Sequence, residues 1–194
     1  MTSQKSMNSI LSTNDALSVS SSIELETPHV VSVMFQVDTM NEGAAHGGHS
    51  SVPLNYQLAP IQRTLTLQDI FGKPVDYSTL SQLCRIRLYK SLTNGGQDFV
   101  ESGTKSDEPS NFACVTLNHT GITFTFNEYQ VAPYSEGSPK ISFTYGELRP
   151  FFSPSSPVFQ AVEQSISTPL STNKIELDQE EQQALQDFNK RIGE

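Results

Sequence analysis

The sequence has little positive charge. It contains 12 lysine and arginine residues against 21 aspartate and glutamate residues, which gives a net charge of −9 at pH 7. Nucleic-acid phosphates and anionic membrane surfaces both attract basic surfaces, so this balance disfavours both partners. No stretch approaches the run of about 18 apolar residues that a membrane-spanning helix needs. The sequence therefore predicts neither nucleic-acid binding nor a membrane span.

Cysteine is also scarce. The two cysteines, Cys84 and Cys114, are too few for a disulfide framework. Each lies in an apolar run, which favours two buried thiols, and a Cys84–Cys114 bridge is the alternative. Residues 1–22 are rich in serine, threonine and asparagine and lack the apolar core of a signal peptide. We expect either that the protein is not exported or that its export signal lies outside this chain.

Catalytic signatures are missing from the sequence. No Gly-x-Ser-x-Gly elbow occurs, and neither glycine-rich phosphate-binding fingerprint is present. Glu128 and Glu136 are the residue types of a glycosidase pair, but nothing in the sequence specifies their separation. We therefore predict no catalytic residue and no cofactor.

Composition and periodicity divide the chain into three parts. Only 36% of residues are hydrophobic, which predicts that part of the chain is polar tail rather than core. We interpret residues 1–20 as a flexible leader and residues 21–152 as an α+β domain. Residues 153–194 are interpreted as a linker rich in proline and serine and an acidic, helix-prone tail. That tail has apolar residues near helical spacing: Leu177, Leu185, Phe188 and Ile192.

Two strands with a period of two begin the domain, and a glycine- and histidine-rich loop at residues 41–51 joins them into a long hairpin. The first set of apolar positions, predicted to face the core, is Val31, Val33, Phe35 and Val37. The second set is Val52, Leu54, Tyr56 and Leu58.

Helical periodicity follows the hairpin. A short turn at 66–71 ends at Gly72, and a longer helix begins after Asp76, a suitable N-cap, and ends at Asn94-Gly95-Gly96. Residues 95–110 are polar and predict a mobile loop. Strand patterns return at 112–117, 121–127 and 141–145, and a short helix is predicted at 158–166. This order favours an antiparallel sheet of about five strands, with one main helix packed on one face and short C-terminal helices.

The segment Ala45-His46-Gly47-Gly48-His49 is one candidate site. Two histidines three residues apart can share a metal ion, but a metal site needs further ligands, and His29, Asp38 and His119 are arbitrary choices. A glycine turn in which His46 makes local hydrogen bonds is the simpler reading. A histidine on a binding surface is the third, and we predict no metal site.

A second candidate is the segment from Tyr129 to Gly137, where a strand runs into a proline–tyrosine loop. Pro133 fixes its own backbone and ends strand pairing, so the loop should be stiff. Tyrosines on a stiff loop lose little entropy on binding, which suits Tyr129 and Tyr134 to an interface. The alternative is that both tyrosines fold back onto the core, with backbone partners for their hydroxyl groups.

Four segments in order resemble a known bacterial family. They are Gly43-Ala-Ala-His46-Gly47, Leu65-Thr-Leu67-Gln-Asp69-Ile-Phe71, Gly121-Ile-Thr-Phe124-Thr-Phe126-Asn-Glu-Tyr129-Gln-Val-Ala-Pro133-Tyr134-Ser-Glu-Gly137 and Ile141-Ser-Phe-Thr-Tyr145-Gly-Glu-Leu148. Together they resemble a bacterial domain of unknown function. That domain forms the extracellular C-terminal part of RsiV-type anti-sigma factors and accompanies the catalytic domain of PdaC-type peptidoglycan deacetylases. The resemblance spans residues 22–152.

The resemblance implies a small α+β domain, similar to a subdomain of Hsp70-type ATPases without the nucleotide site. It implies an extracytoplasmic location in bacteria and a binding role, with lysozyme as the ligand of RsiV-type proteins. By this analogy the Pro133–Tyr134 loop contacts the partner. Since the sequence contains no membrane helix, sigma-binding segment or deacetylase domain, it implies neither a complete anti-sigma factor nor deacetylase activity. In this family another domain usually precedes the one described here, and in this sequence it is reduced to about one strand, near residues 17–26.

Three hypotheses follow from these patterns. The first is a non-catalytic domain that binds a protein, lysozyme-like in the family analogy, or a cell-wall ligand. Its predicted contact residues are Tyr129, Pro133, Tyr134, Gly137 and His46. The second is a metal-dependent cell-wall enzyme or accessory domain that uses His46 and His49. The third is a structural domain whose acidic C-terminal tail mediates oligomers, although the sequence does not predict an oligomeric state.

Overall fold

The computed structural model describes residues 15–93 and 96–162. It confirms the α+β class, but the strands form two antiparallel sheets, of four and three strands, rather than one sheet of about five. The strands are β1 (Ala16–Glu26), β2 (Val30–Met40), β3 (Gly48–Gln57), β4 (Arg63–Thr64), β5 (Val115–Leu117), β6 (Gly121–Thr125) and β7 (Lys140–Thr144). The helices are α1 (Leu67–Phe71), α2 (Tyr77–Ser91), α3 (Gln97–Gly103) and α4 (Pro157–Val162). Both sheets follow chain order, β1-β2-β3-β4 and β5-β6-β7.

Helices α1 and α2 begin at capping residues, and α1 ends at the glycine predicted to end it, whereas α2 ends at Ser91, before the predicted Asn94-Gly95-Gly96 stop. The Thr66 side chain accepts from the Asp69 backbone N–H, and the Asp69 carboxylate accepts from the Thr66 N–H, which makes a capping box. Gly72 then ends α1 in the left-handed conformation, at φ 70°. Asp76 caps α2 by accepting from the Thr79 N–H at 3.1 Å. Asn94 and Gly95, predicted to end this helix, lie outside the described residues.

The core lies between α2, the three-stranded sheet and one end of the four-stranded sheet. α2 contributes Leu80, Cys84 and Leu88, and phenylalanines of α1, β6, β7 and the connecting segments add to them. The fully buried phenylalanines are Phe71, Phe112, Phe124 and Phe126. Both cysteines are free thiols, so the Cys84–Cys114 bridge does not form.

The face of β2 that points to the core is the opposite of the one predicted. Val30, Ser32 and Met34 are buried, whereas the alternate set from Val31 to Val37 is only half-buried. We call the face that carries Val30, Ser32 and Met34 the inner face, and the other the outer face. The prediction failed because apolar content is an unreliable guide to burial where side chains on the inner face bond to another sheet.

Three further predicted segments compare with the structure as follows: one is corrected, one boundary shifts, and one helix is observed. The segment 95–110 is not a loop throughout, since it contains α3 and a 3₁₀ turn at Pro109–Phe112. The leader boundary at residue 20 falls inside β1, which begins at Ala16 and agrees with the strand expected near 17–26. The helix expected at 158–166 is observed as α4, up to Val162. The acidic tail lies outside the described residues.

Candidate functional site

The candidate site lies at the far end of the β2–β3 hairpin, on its inner face. The antiparallel register pairs Asp38 of β2 with His49 of β3, so both side chains project from the same face. The hairpin loop that follows β2 carries His46 and Gly47 back over this pair. A hairpin this long extends beyond the core, which leaves the polar residues at its tip accessible.

The second wall of the site is the loop that follows β6. Phe126, Val131 and Ala132 are buried and fix this loop to the core at both ends of the segment that carries Tyr129. Tyr129 has a positive φ of 64°, a conformation that costs a non-glycine residue about 1–3 kcal/mol and persists only where its surroundings impose it. The side chain of Tyr129 remains 53% exposed.

Gln130 and Gly103 hold the loop from behind. The Gln130 side-chain amide donates to the carbonyl oxygens of Gly103 and Asn111, at 3.1 and 2.9 Å. A Cβ atom on Gly103 would lie 1.9 Å from the Gln130 carbonyl oxygen, so the α3 end and the loop approach each other as closely as only glycine allows. The strained residue Tyr129 is therefore supported by its neighbour on the chain.

Side chains of the loop bind the free edge of β3. The Ser51 N–H donates to the Asn127 side-chain oxygen at 2.7 Å, and the Asn127 amide donates back to the Ser51 carbonyl at 3.4 Å. The His49 N–H donates to a Glu128 carboxylate oxygen at 3.2 Å. These bonds satisfy strand groups that another strand would otherwise pair, and they fix the distance between the two walls.

An aromatic group joins the two walls. The rings of His46 and Tyr134 are stacked, with centroids 4.0 Å apart, and the Tyr129 ring lies 5.9 Å from that of Tyr134. The Tyr134 hydroxyl donates to the Gly47 carbonyl at 3.3 Å. We call His46, Tyr129 and Tyr134 the aromatic cluster. Tyr134 is half-buried, and neither tyrosine belongs to the core.

Hydrogen bonding defines the tautomer of His46. Its Nδ1 lies 2.8 Å from the Gly47 carbonyl oxygen, which can only accept, so Nδ1 carries the proton. In the neutral ring Nε2 is then an acceptor, and the Tyr129 hydroxyl donates to it at 3.3 Å. The local hydrogen bond expected for a glycine turn is thus present, and the same ring also takes part in the aromatic cluster.

His49 forms an ion pair with Asp38. Its Nδ1 lies 2.6 Å from an Asp38 carboxylate oxygen, and both side chains are about half exposed. This hydrogen bond raises the pKa of His49 above its usual value of 6.5. Desolvation opposes it, and the negative charges of Glu128 and Asp38 raise the pKa further. The pair gives the site a proton-binding group near neutral pH.

A cavity of about 370 Å³ opens beside these residues. It is lined by Thr39, Asn41, His46, Gly47, Gly48, His49, Ser50, Asn127, Glu128 and Tyr129. Its size falls within the range typical of small-ligand sites, about 300–1,000 Å³. Histidine, carboxylate, amide and tyrosine groups converge on it, so it can bind a polar or cationic group by hydrogen bonds while an aromatic ring covers one side.

A second cavity, of about 400 Å³, lies between the β3 edge and the start of α2. Its lining includes Leu54, Tyr77 and Phe112 and contains no charged residue. The first cavity carries two histidines and a carboxylate, so we place the candidate site there.

The structure brings together three of the five residues predicted from sequence, namely His46, Tyr129 and Tyr134. Pro133 lies before the 3₁₀ turn Tyr134–Glu136, and Gly137 ends that turn with φ 65°, so both shape the loop without lining the cavity. Asn127 was not predicted as a site residue. Asn127 acts by bonding to the edge of β3, a strand far away in sequence, and no local sequence pattern predicts this contact.

The structure offers no support for the metal alternative. Within residues 15–93 and 96–162, no group of three or more histidine, cysteine, aspartate or glutamate side chains is placed to hold a metal ion. His46 Nδ1 is bonded to a backbone carbonyl and His49 Nδ1 to Asp38. In the same part of the chain no helix is both long and apolar enough to cross a bilayer.

Comparison with known proteins places the chain near a family without an assigned function. Residues 68–146 match a model described as "Protein of unknown function (DUF3298)". This segment includes Tyr129 and Tyr134 but not the hairpin that carries Asp38, His46 and His49. No curated protein matches the chain.

Two solved structures share the fold. A DUF3298 family member from Bacteroides fragilis is 23% identical with a TM-score of 0.60, and the match covers 84% of this chain and 64% of that one. A DUF3298 family protein from Pseudomonas aeruginosa is 17% identical with a TM-score of 0.55, and the match covers 76% and 66%. The chain thus spans about two thirds of the length of each. It is similar to the DUF3298 family across residues 68–146, and its described part has the fold of two proteins of that family.

Proposed function

We propose that this domain is a non-catalytic binding module of the bacterial envelope that recognises a protein partner through the Pro133–Tyr134 loop and the His46 turn. The observation that carries the proposal is the aromatic cluster. His46 and Tyr134 are 88 residues apart in the sequence, yet their rings stack and share the Gly47 carbonyl as a hydrogen-bond acceptor. An arrangement that is already ordered loses little conformational entropy when a partner binds.

Charge supports a cationic partner. The cavity wall carries Glu128, and Asp38 lies beside it on His49, while the whole chain has a net charge of −9. Complementary charge speeds encounter and selects between partners. Tyrosine is enriched at binding hot spots, and Tyr129 lines the same cavity as Glu128. A basic protein surface that presents a lysine or arginine side chain to the cavity fits both features.

The resemblance to RsiV-type and PdaC-type proteins supports the proposal from another direction. It suggests lysozyme as the protein partner, a cell-wall fragment as the second candidate ligand, and an extracytoplasmic location. A cell-wall fragment is also consistent with the cavity, because tyrosine rings and carboxylates can contact sugar rings and hydroxyl groups. Catalysis has no comparable support, since no hydroxyl or thiol is hydrogen-bonded to His49 Nε2 in the described residues.

The direct test is calorimetric titration of the full chain with lysozyme, and then with soluble peptidoglycan fragments. We expect saturable binding to lysozyme that weakens as salt concentration rises, since the attraction between charges is screened. Binding to the fragments alone would change the ligand class but retain the site. Absence of binding to both would remove the support for an envelope ligand of this kind.

Tyr134→Ala tests the site itself. We expect affinity for the partner to fall by about 10- to 100-fold, the usual effect of removing a tyrosine hot spot. The substitution removes both the stacking partner of the His46 ring and the contact between the Tyr134 ring and the bound partner. The measurement is the same titration, with the melting temperature as a check of folding.

Tyr89→Ala is the matched control, because Tyr89 is an exposed tyrosine of α2 and does not belong to the aromatic cluster. This variant should bind as the wild type does. Equal affinity of Tyr134→Ala and wild type would contradict the proposed site. Loss of the melting transition in Tyr134→Ala would instead identify Tyr134 as a residue needed for folding.

A further inference from the structure

Within the part of the chain that the structure describes, the outer face of the four-stranded sheet is apolar and uncovered. Because paired residues of neighbouring strands share a face, the register identifies its members on β1, β2 and β3. They are Leu17, Val19, Ser21 and Ile23 of β1, Val31, Val33, Phe35 and Val37 of β2, and Ser50, Val52, Leu54 and Tyr56 of β3. Glu26, which pairs with Val31 beyond the register shift between Ile23 and Leu25, adds a charged residue at one end of this face. Val19 is 57% exposed and Ile23 65% exposed.

None of these side chains belongs to the core of the described residues. The elements that pack on the sheet do so on its inner face, where Asn55 and Ser32 bond to β5 and α4 adds Val158 and Val162 to the core. The outer face is more apolar than the inner one, which carries Ser32, Asn55 and Asp38. A contiguous exposed apolar surface of this kind marks an interaction site.

The dimensions of the outer face fit one helix. Three strands span about 10–15 Å across, and nine residues of β2 span about 30 Å along the strand. A helix is about 10–12 Å wide, and 16 residues of helix are about 24 Å long.

The chain itself supplies a segment of this length. Residues 177–192 carry Leu177, Ala184, Leu185, Phe188 and Ile192 on one side of a helix, with Glu181 as the charged position within that stripe. The opposite side carries glutamines such as Gln179 and Gln186. We propose that residues 177–192 fold as an amphipathic helix that docks, through this apolar stripe, on the outer face of the same molecule.

The connection is long enough. α4 ends at Val162, which is buried in the core. Residues 163–176 can extend over about 45 Å, which exceeds the distance around an edge of a sheet about 10 Å thick. A tethered segment also acts at an effective concentration near the millimolar range. A second copy of the chain is the less favourable occupant, because each copy has a net charge of −9 and the two repel.

Hydrogen exchange of the full chain, followed by mass spectrometry, tests this proposal. An isolated helix of this length is marginal in water, so protection of 177–192 requires docking. We expect these amides to exchange at least tenfold more slowly than in an unstructured chain. The substitution Val19→Asp on the outer face should remove that protection, as should the double substitution Leu185→Asp with Phe188→Asp.

Two matched controls carry the same added charge. Ser20→Asp changes the neighbouring exposed residue on the other face of β1, and Gln179→Asp with Gln186→Asp changes the polar side of the segment. Both should retain the protection. Unprotected amides at 177–192 in the wild type would overturn the proposal, and so would protection that survives both outer-face and stripe substitutions.

Varying the protein concentration distinguishes docking within one molecule from docking between two copies. Protection that rises with protein concentration, together with a doubled mass in light scattering, would overturn intramolecular docking in favour of a dimer. Unchanged exchange of the α2 amides in every variant shows that the core remains folded.

Discussion

At the scale of single residues, two buried polar side chains join the two sheets. Ser32 donates to the Asn55 side-chain oxygen at 2.7 Å and accepts from the Leu117 N–H at 2.9 Å. The Asn55 amide donates to the Val115 carbonyl at 2.8 Å. Ser32 and Asn55 thus satisfy the free edge of β5 as a neighbouring strand would. Buried polar groups are tolerated only when bonded in this way.

Ser32→Ala should lower the free energy of unfolding by about 1–3 kcal/mol, because it leaves the buried Leu117 N–H and Asn55 oxygen without their partner. Chemical denaturation measures this change. Ser20→Ala on the exposed part of β1 is the control and should stay within about 0.5 kcal/mol of wild type. Equal stability of the two variants would show that the buried bonds contribute little.

Also at this scale, Asp38→Asn should lower the pKa of His49. The hydrogen bond to Asp38 is the main cause of its raised pKa, with smaller contributions from the charges of Glu128 and Asp38. NMR titration of the His49 ring in both proteins measures the shift. An unchanged value would mean that the two side chains are not paired in solution.

The sign of the resulting pH effect follows from the raised pKa. The stabilisation from the His49–Asp38 pair is complete below the unfolded pKa of about 6.5 and is lost as the pH rises through the folded pKa. Asp38→Asn should therefore flatten the dependence of melting temperature on pH near neutrality.

At the scale of elements, β6 and β7 approach each other closely at Gly121. A Cβ atom on Gly121 would lie 1.9 Å from the Phe143 carbonyl oxygen, so an alanine there must push β7 away. Gly121→Ala should destabilise the protein by about 3 kcal/mol, the upper part of the range for overpacking. For a chain of this size that corresponds to a fall of about 6–12 °C in melting temperature.

Gly96→Ala is the matched control, since nothing lies within 4 Å of the added Cβ atom. Gly96 precedes α3 at its N-cap, where alanine is less favourable than glycine, so a loss below about 1 kcal/mol is expected. A fall in melting temperature for Gly121→Ala no larger than for this control would refute the close approach of β6 and β7.

Element boundaries could be predicted where local chemistry determines them. Gly72 and Asp76 are capping residues whose preferences act within one turn of helix, and α1 ends and α2 begins as they predict. The burial of β2 could not be predicted from its pattern. Its apolar set lies on the outer face, and its inner face is buried through hydrogen bonds to β5, a strand more than 70 residues further along the chain.

At the scale of the whole molecule, the candidate site combines segments that the sequence keeps apart. The Tyr129–Gly137 loop and the His46 turn were each recognisable from residue type, because proline, glycine and tyrosine in a strand-to-loop transition indicate a stiff exposed surface. Their contact was not predictable, since it depends on how β3 meets the loop through Asn127 and Glu128. The cavity is therefore a property of the fold rather than of either motif.

The state of the two cysteines has a practical consequence. Burial raises the pKa of both thiols, that of Cys114 to about 11, although Lys140 acts in the opposite direction there. At pH 7 only about one Cys114 side chain in ten thousand is then a thiolate, the form that reacts with maleimides. A single cysteine introduced on the exposed surface would be labelled selectively. Fluorescent probes for partner binding can thus be attached without replacing either native cysteine.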